Sequence, residues 1–248
     1  SIKNKIRYLN NPIRKAFAYL YNYYSLKMSF KIIVQTYEMH NEIKSFYRDL
    51  KNNKNIEVIY NPISPNFLNK YNFPKREKYI LFVGSFNPKK NPLMLLEIYK
   101  EFILSRADKI KLKMVGKGIE INKIKKFIKE NKLENNVDII KPVSQDILQS
   151  IYANSLCLIS CSRYEGLPNV VIECLYSGTP VVAYSGIGSI KEIIKNNING
   201  IIIKEYTIKS YIEGLNMVLN RSFKRDEIKR SSSRFHINDI VKKYTEII

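Results

Sequence analysis

The sequence predicts an α/β protein, with a parallel six-stranded sheet carrying helices on both faces. The end portion of a second domain of the same kind precedes it. Two observations carry this. From Tyr79 onward, short apolar runs alternate with longer amphipathic stretches, a pattern of parallel strands joined by helical crossovers. Glycines follow the apolar runs at Gly84, Gly116, Gly118, Gly166, Gly186 and Gly188. Those are the carboxyl ends of the strands, where folds of this class bind ligands.

Residues 1–30 read as helical, with Ile2, Ile6, Leu9, Ile13, Phe17, Leu20 and Tyr24 recurring every three or four positions. Asn11-Pro12 restarts the pattern, Asn11 as cap and Pro12 in the first turn. Packing against a sheet is the preferred reading of this amphipathic stretch. The alternative is a basic, tyrosine-rich face lying on an anionic bilayer. Lys31–Thr36 follows as a strand, Tyr37–Lys51 as a helix and Ile56–Tyr60 as a strand. Asn61–Lys78, with Pro62, Pro65 and Pro74, reads as a linker.

The six strands of the main sheet are expected at Tyr79–Val83, Ile110–Val115, Val137–Ile140, Leu156–Ser160, Pro180–Ala183 and Gly200–Ile203. Helices are expected at Pro92–Ser105, Glu120–Lys132, Ser144–Asn154, Pro168–Ser177 and Ser189–Lys195, with two or three more over residues 207–248.

One stretch organises the rest. After the run ending at Ser160 comes a loop with Glu165-Gly166-Leu167-Pro168, then a helical stretch carrying Glu173. Pro168 suits a first helical turn, because its missing N–H costs nothing there. The N–H groups of Asn169 and Val170 are then expected to point out of the helix start, an end that attracts phosphate. Glu173, about one turn further in, is placed to bond a sugar hydroxyl attached to that phosphate.

Glu165 and Glu173, with seven residues between them, match the paired-glutamate motif of retaining glycosyltransferases with the GT-B fold. The wider string Glu-Gly-Leu-Pro-Asn-Val-Val-Ile-Glu, followed by Ser-Gly-Thr-Pro-Val-Val-Ala, resembles family 4 of that group. The resemblance runs from about Val34 to the C-terminus. It implies that Glu173 binds the ribose hydroxyls of a nucleotide sugar and that Glu165 approaches the donor sugar. It also implies a first phosphate loop in Val83-Gly84-Ser85-Phe86-Asn87-Pro88-Lys89-Lys90-Asn91. Lys90 matches a lysine that grips the diphosphate. Ser85 stands where that family has an arginine, and a serine supplies no charged fork. Lys89 is the candidate to compensate, although a plain surface lysine is the simpler reading for it alone. Gly116 belongs to a loop lining the donor cleft, and Lys141 and Pro142 lie in the region beside the base.

By the same resemblance, residues 1–61 correspond to the closing portion of the N-terminal, acceptor-side domain and 62–78 to the interdomain linker. Residues 79–222 form the donor domain, Rossmann-like, and 223–248 the closing helices. The front of the first domain has no counterpart, so donor binding and turnover by this chain are expected to be weak. The implied activity is transfer of a hexose-type sugar from a nucleotide-diphosphate sugar, such as a UDP- or GDP-sugar, to a glycan or lipid-linked acceptor. The setting is cell-surface polysaccharide or lipopolysaccharide assembly, and catalysis is expected to need neither cofactor nor metal. A non-catalytic nucleotide-sugar-binding protein is the alternative.

Composition bounds the rest. The 248 residues are 45% hydrophobic, enough for a sizeable core, and the formal net charge is +20. Such a balance favours anionic partners: phosphorylated substrates, an acidic membrane surface or nucleic acid. A lysine-rich solvated surface explains it equally well. Nucleic-acid binding has only the charge in its favour, and no recognised motif accompanies it. Cys157, Cys161 and Cys174 form no framework, which fits a reducing compartment, and core packing is their expected role. No apolar run reaches the ~20 residues of a membrane span. No secretory leader pattern is visible, so a cytoplasmic location, peripheral at the inner membrane, is expected.

Overall fold

The computed structural model describes residues 12–47, 55–64, 67, 76–104, 106 and 110–247. The expected helix before residue 12 with its Asn11 cap, the stretch from 48 to 51, Ser105 and most of the linker lie outside them. The chain divides into two compact units, Ser1–Asn61 with Ile240–Ile248, and Pro62–Asp239.

In the first unit, α1 (Pro12–Met28) begins at the proline, whose fixed φ suits a first turn. Strands β1 (Ile32–Val34) and β2 (Ile56–Val58) pair in parallel, with α2 (Tyr37–Phe46) between them. Thr36 caps α2 by accepting from the Met39 N–H at 3.0 Å. Ile32, Val34, Ile43, Tyr47 and Ile56 make the core, and Tyr23, Leu26 and Phe46 pack against it. Helix α1 does pack, but not by the expected face: Tyr23 and Leu26 turn inward, whereas Phe17, Leu20 and Tyr24, read from the sequence as the packing side, are exposed with Tyr21 and Met28. Tyr19 is partly exposed, with its ring 5.0 Å from that of Tyr47. Both strands are shorter than expected and stop at Val34 and Val58.

The second unit is built on β3 (Tyr79–Val83), β4 (Lys111–Val115), β5 (Val137–Ile140), β6 (Cys157–Ser160), β7 (Val181–Tyr184) and β8 (Gly200–Ile203). All five neighbouring pairs are parallel, in the order β5-β4-β3-β6-β7-β8. The order reverses between β3 and β6, and a crevice opens at such a switch point. The inner strands β3, β6 and β7 are nearly continuous apolar runs because both of their faces are covered.

The helices are α3 (Pro92–Leu104), α4 (Ile121–Glu130), α5 (Gln145–Asn154), α6 (Asn169–Tyr176), α7 (Ile190–Ile193), α8 (Ile208–Leu219), α9 (Arg225–Ser231) and α10 (Ile237–Thr245). A 3-10 turn, Ser233–Phe235, precedes the last. Sheet-facing residues follow the helical period, as in α8, where Tyr211, Gly214, Leu215 and Val218 are buried. Gly214 is required there: a Cβ would stand 2.9 Å from both Ile203 Cγ2 and Val182 Cγ1. Every expected element of this unit is present, with ends moved by at most a few residues. Among the described residues, no helix is long and apolar enough to cross a membrane.

Candidate active site

The loops that leave β3, β4 and β6 are tied into one surface. Gly84 N–H donates to Val115 O at 3.0 Å, and Phe86 N–H to Lys117 O at 2.8 Å. Phe86 is fully buried and anchors the β3 loop. Gly116 permits the approach, because a Cβ there would lie 1.9 Å from Gly84 O. The β6 loop joins through the Arg163 N–H, which donates to Lys89 O at 2.8 Å.

Asn87 shapes the loop that holds the lysines. Its side-chain oxygen accepts from the Lys90 N–H at 3.0 Å, a local bond that curls the chain into α3. Asn91, at φ 52°, completes the curl in the left-handed region that asparagine tolerates. Its amide donates to Tyr206 Oη at 2.9 Å, and the Tyr206 hydroxyl donates to Cys161 O at 2.6 Å. Tyr206 thus pins the lysine turn to the exit of β6.

The result is a charge cluster at the switch point. Lys90 Nζ forms an ion pair with Glu165 Oε1. Lys89 Nζ lies 3.5 Å from Glu165 Oε2, and the Ser162 hydroxyl donates to Oε1 at 2.8 Å. The Glu165 side chain is 8% exposed, so both lysines act on a carboxylate largely removed from water. Lys89 thus pairs with Glu165, while its own side chain stays 42% exposed. The aliphatic chain of Lys90 crosses Gly84, its Cδ 3.5 Å from where a Cβ would be.

Glu173 belongs to a different arrangement. Helix α6 begins at Asn169, one residue later than expected, with Pro168 as its cap. Val171 N–H already bonds Pro168 O at 2.9 Å. Glu173 is half-buried, and its Oε2 accepts from the hydroxyl of Tyr152, a fully buried residue of α5, at 3.1 Å. Burial raises the Glu173 carboxyl above its ordinary range, and the Tyr152 bond offsets part of that.

The remaining expected donor contacts sit around this frame. Ser85 is exposed at the tip of the β3 loop. Gly166 O accepts from the Ser189 hydroxyl at 2.6 Å, which braces the Glu165 loop against the start of α7. Leu167 and Pro168 are buried beneath that loop, whereas Asn169 is exposed and Val170 half-buried. Lys141 and Pro142 are exposed on the loop leaving β5, and neither bonds to the Glu165 cluster. Gly116 N–H donates to Ile140 O at 2.9 Å, which fixes that loop's root.

Sequence reasoning missed Ser162, Tyr152, Ser189 and Tyr206 as supports of the site. Tyr206 meets partners 45 and 115 positions away, so no local pattern announces it.

Comparison with known proteins bears on the family and the fold. The family model of glycosyl transferases group 1 matches residues 64–234. An amylovoran biosynthesis glycosyltransferase of Erwinia amylovora is 28% identical over 228 residues, 88% of this chain and 62% of that protein. An alpha-1,4-N-acetyl-D-galactosaminyltransferase of Campylobacter jejuni, named for an undecaprenol-linked substrate, is 25% identical over 202 residues, 79% of this chain and 55% of its own. Among solved structures, the apo lipopolysaccharide outer core galactosyltransferase WaaB superposes with a TM-score of 0.72. It is 20% identical, with 88% of this chain and 61% of that one covered, a likeness that shows the GT-B type of fold. The chain thus spans about half to three fifths of the length of these two curated relatives. With its fold, its loop frame and a family match over most of its length, the chain belongs to the glycosyl transferases group 1.

Proposed function

We propose that this chain carries the donor site of a retaining, family-4-like glycosyltransferase. The enzyme moves a hexose-type sugar from a nucleotide-diphosphate sugar to a glycan or lipid-linked acceptor in cell-surface polysaccharide or lipopolysaccharide assembly. One observation carries the reading: Lys89 and Lys90 converge on Glu165 at the point where the strand order reverses.

In this reading the diphosphate takes Glu165's place as partner of the two lysines, beside the start of α6. Charge-assisted bonds from lysine to phosphate are about twice as strong as neutral ones. Glu173, held by Tyr152, receives the ribose hydroxyls, and Glu165 turns to the donor sugar. The bond from the anomeric carbon to the diphosphate oxygen breaks as the acceptor oxygen attacks the same face. The acceptor's proton passes to a diphosphate oxygen, and the nucleoside diphosphate leaves. Lys90, Lys89 and the helix start stabilise the charge that develops there, without a bound metal. The basic surface and the exposed aromatic side of α1 suit peripheral contact with an anionic membrane at its cytoplasmic face.

Titration calorimetry with UDP- and GDP-sugars tests the reading. Binding by the wild-type chain, weakened roughly 10- to 100-fold in Lys90→Ala, is the expected result. Affinity unchanged by the substitution would remove the lysine turn from the donor site. A non-catalytic nucleotide-sugar-binding protein is the second reading, favoured by the uncharged Ser85. Donor binding with no sugar transfer to any acceptor, even with the rest of a full-length relative supplied, would select it.

A further inference from the structure

The opposite end of the main sheet, where strands β6 and β7 begin, carries a second concentration of positive charge. Leu156 and Pro180, the residues just before β6 and β7, line an open pocket of ≈ 320 Å³ with Arg76, Arg221, Phe223 and Arg225. Three guanidinium groups thus share one cavity, and none forms an ion pair with an acid among the described residues.

Part of this arrangement has a structural purpose. Arg76 Nη2 donates to Gly178 O at 2.9 Å and Nη1 to Phe223 O at 3.4 Å, while Arg225 Nη1 donates to Ala153 O at 2.6 Å. Ala153 lies in the last turn of α5, and Gly178 lies just past α6, so the two arginines meet helix C-termini. Each such end offers roughly half a negative charge. Two of them do not balance three full positive charges.

The imbalance leaves specific donors unmet. Arg76 Nε and Arg225 Nη2 are buried without a hydrogen-bond partner. A buried donor of this kind calls for an ordered water, an ion or a ligand. Arg225 also opposes the charge on Arg76, and with burial as the larger cause it pulls the Arg76 guanidinium below its ordinary range. Arg221 is exposed, and its side chain makes no hydrogen bond among the described residues; it lies 5.9 Å over the Phe223 ring. It is positioned at the mouth with its donors unused.

We propose that Arg76, Arg221 and Arg225 form a binding site for a phosphate-class oxyanion, remote from the lysine turn. Guanidinium matches the oxygens of phosphate in a fork, which ammonium does not. The pocket holds about ten water volumes of roughly 30 Å³ each, room for a phosphoryl group with a small organic remainder. The inference does not depend on the proposed sugar transfer, because this pocket lies by the amino ends of the strands, whereas the lysine turn lies at their carboxyl ends.

Isothermal calorimetry and thermal unfolding of the 248-residue chain with inorganic phosphate test it, at fixed ionic strength with chloride as reference. Saturable binding with a rise in Tm is expected in the wild type and in Lys90→Ala alike. Arg221→Gln should weaken it about tenfold, the loss of a charged bond. Arg221→Glu should raise Tm in chloride, by supplying the missing counter-charge, and abolish the phosphate response. A second arm with glucose 1-phosphate separates the sources. Tighter binding than phosphate assigns the site to a phosphorylated metabolite, and equal binding to the free ion. No saturable effect overturns the proposal. So does a response lost in Lys90→Ala and untouched in Arg221→Gln, which would place the anion at the lysine turn.

Discussion

Glu173 pairs its proposed role in ligand recognition with a cost in stability. Its carboxyl is raised by burial, so between the ordinary and the raised value the folded chain keeps a proton that the unfolded chain has released. Stability then falls as pH rises through that window and stays lower above it. Glu173→Gln removes the ionisation while keeping an acceptor for Tyr152. The variant's Tm should exceed the wild type's at neutral pH, and the gap should close near pH ~4, the ordinary carboxylate range. A gap that does not change with pH would show that ionisation is not its source. Donor affinity should fall in the same variant, since an amide is a weaker partner for a ribose diol.

The three cysteines show the opposite economy at the same scale. All are buried and unpaired, and burial pushes the Cys157 thiol up to about 12. Cys161 and Cys174 move in the same direction for the same reason. A thiolate is the reactive form, so none should be labelled by a thiol reagent at pH ~8 in the native chain. All three should react once the chain is unfolded in urea. Rapid native labelling of any one would contradict the burial of β6 and α6. Their core role was legible from apolar neighbours such as Leu158 and Ile159. The partner of Glu173 was not, because Tyr152 lies 21 positions earlier on another helix.

At the level of elements, the site depends on loops touching across β3 and β4. Gly116 is the closest point of that contact. Gly116→Ala would drive a methyl group into the Gly84 carbonyl and force the two loops apart. Overpacking of this kind costs about 1–3 kcal/mol, readable as a lower urea midpoint. Donor affinity should fall with it, because Gly84 lies against Lys90. A variant with an unchanged midpoint would mean that the loops yield freely.

The six strands and their crossovers were readable because burial writes a local signature. A strand covered on both faces is a short apolar run, and a helix covered on one face repeats every three to four residues. Element ends were less legible. At α6 the helix starts at Asn169 because Pro168 adopts ψ 88° and serves as the cap. In the first unit, the face of α1 read from periodicity at Phe17, Leu20 and Tyr24 is the exposed one, and Tyr23 and Leu26 pack on the core instead. The outward side, equally apolar at Phe17, Leu20, Tyr21, Tyr24 and Met28, cannot be ranked by periodicity against the inward one.

For the molecule as a whole, the charge of +20 sets a global repulsion that salt relieves. The 42 basic residues outnumber the 22 acidic ones, and several of the ion pairs among the described residues are exposed. Sodium chloride rising from ~10 to ~150 mM should therefore raise Tm, since the screening length falls to about 8 Å. A Tm that falls with salt would show instead that the ion pairs, Glu165 with its two lysines foremost, outweigh the repulsion.

The sequence by itself determined the α/β alternation, the glycines at the strand ends and the paired glutamates, because each is written in neighbouring residues. Only the tertiary structure decided which cations meet Glu165, that Tyr152 holds Glu173, and that three arginines share a pocket at the far end of the sheet. Those contacts join residues from separate strands and helices. Their energy depends on distance and exclusion of water after the loops have closed, and neither quantity is encoded in the spacing along the chain.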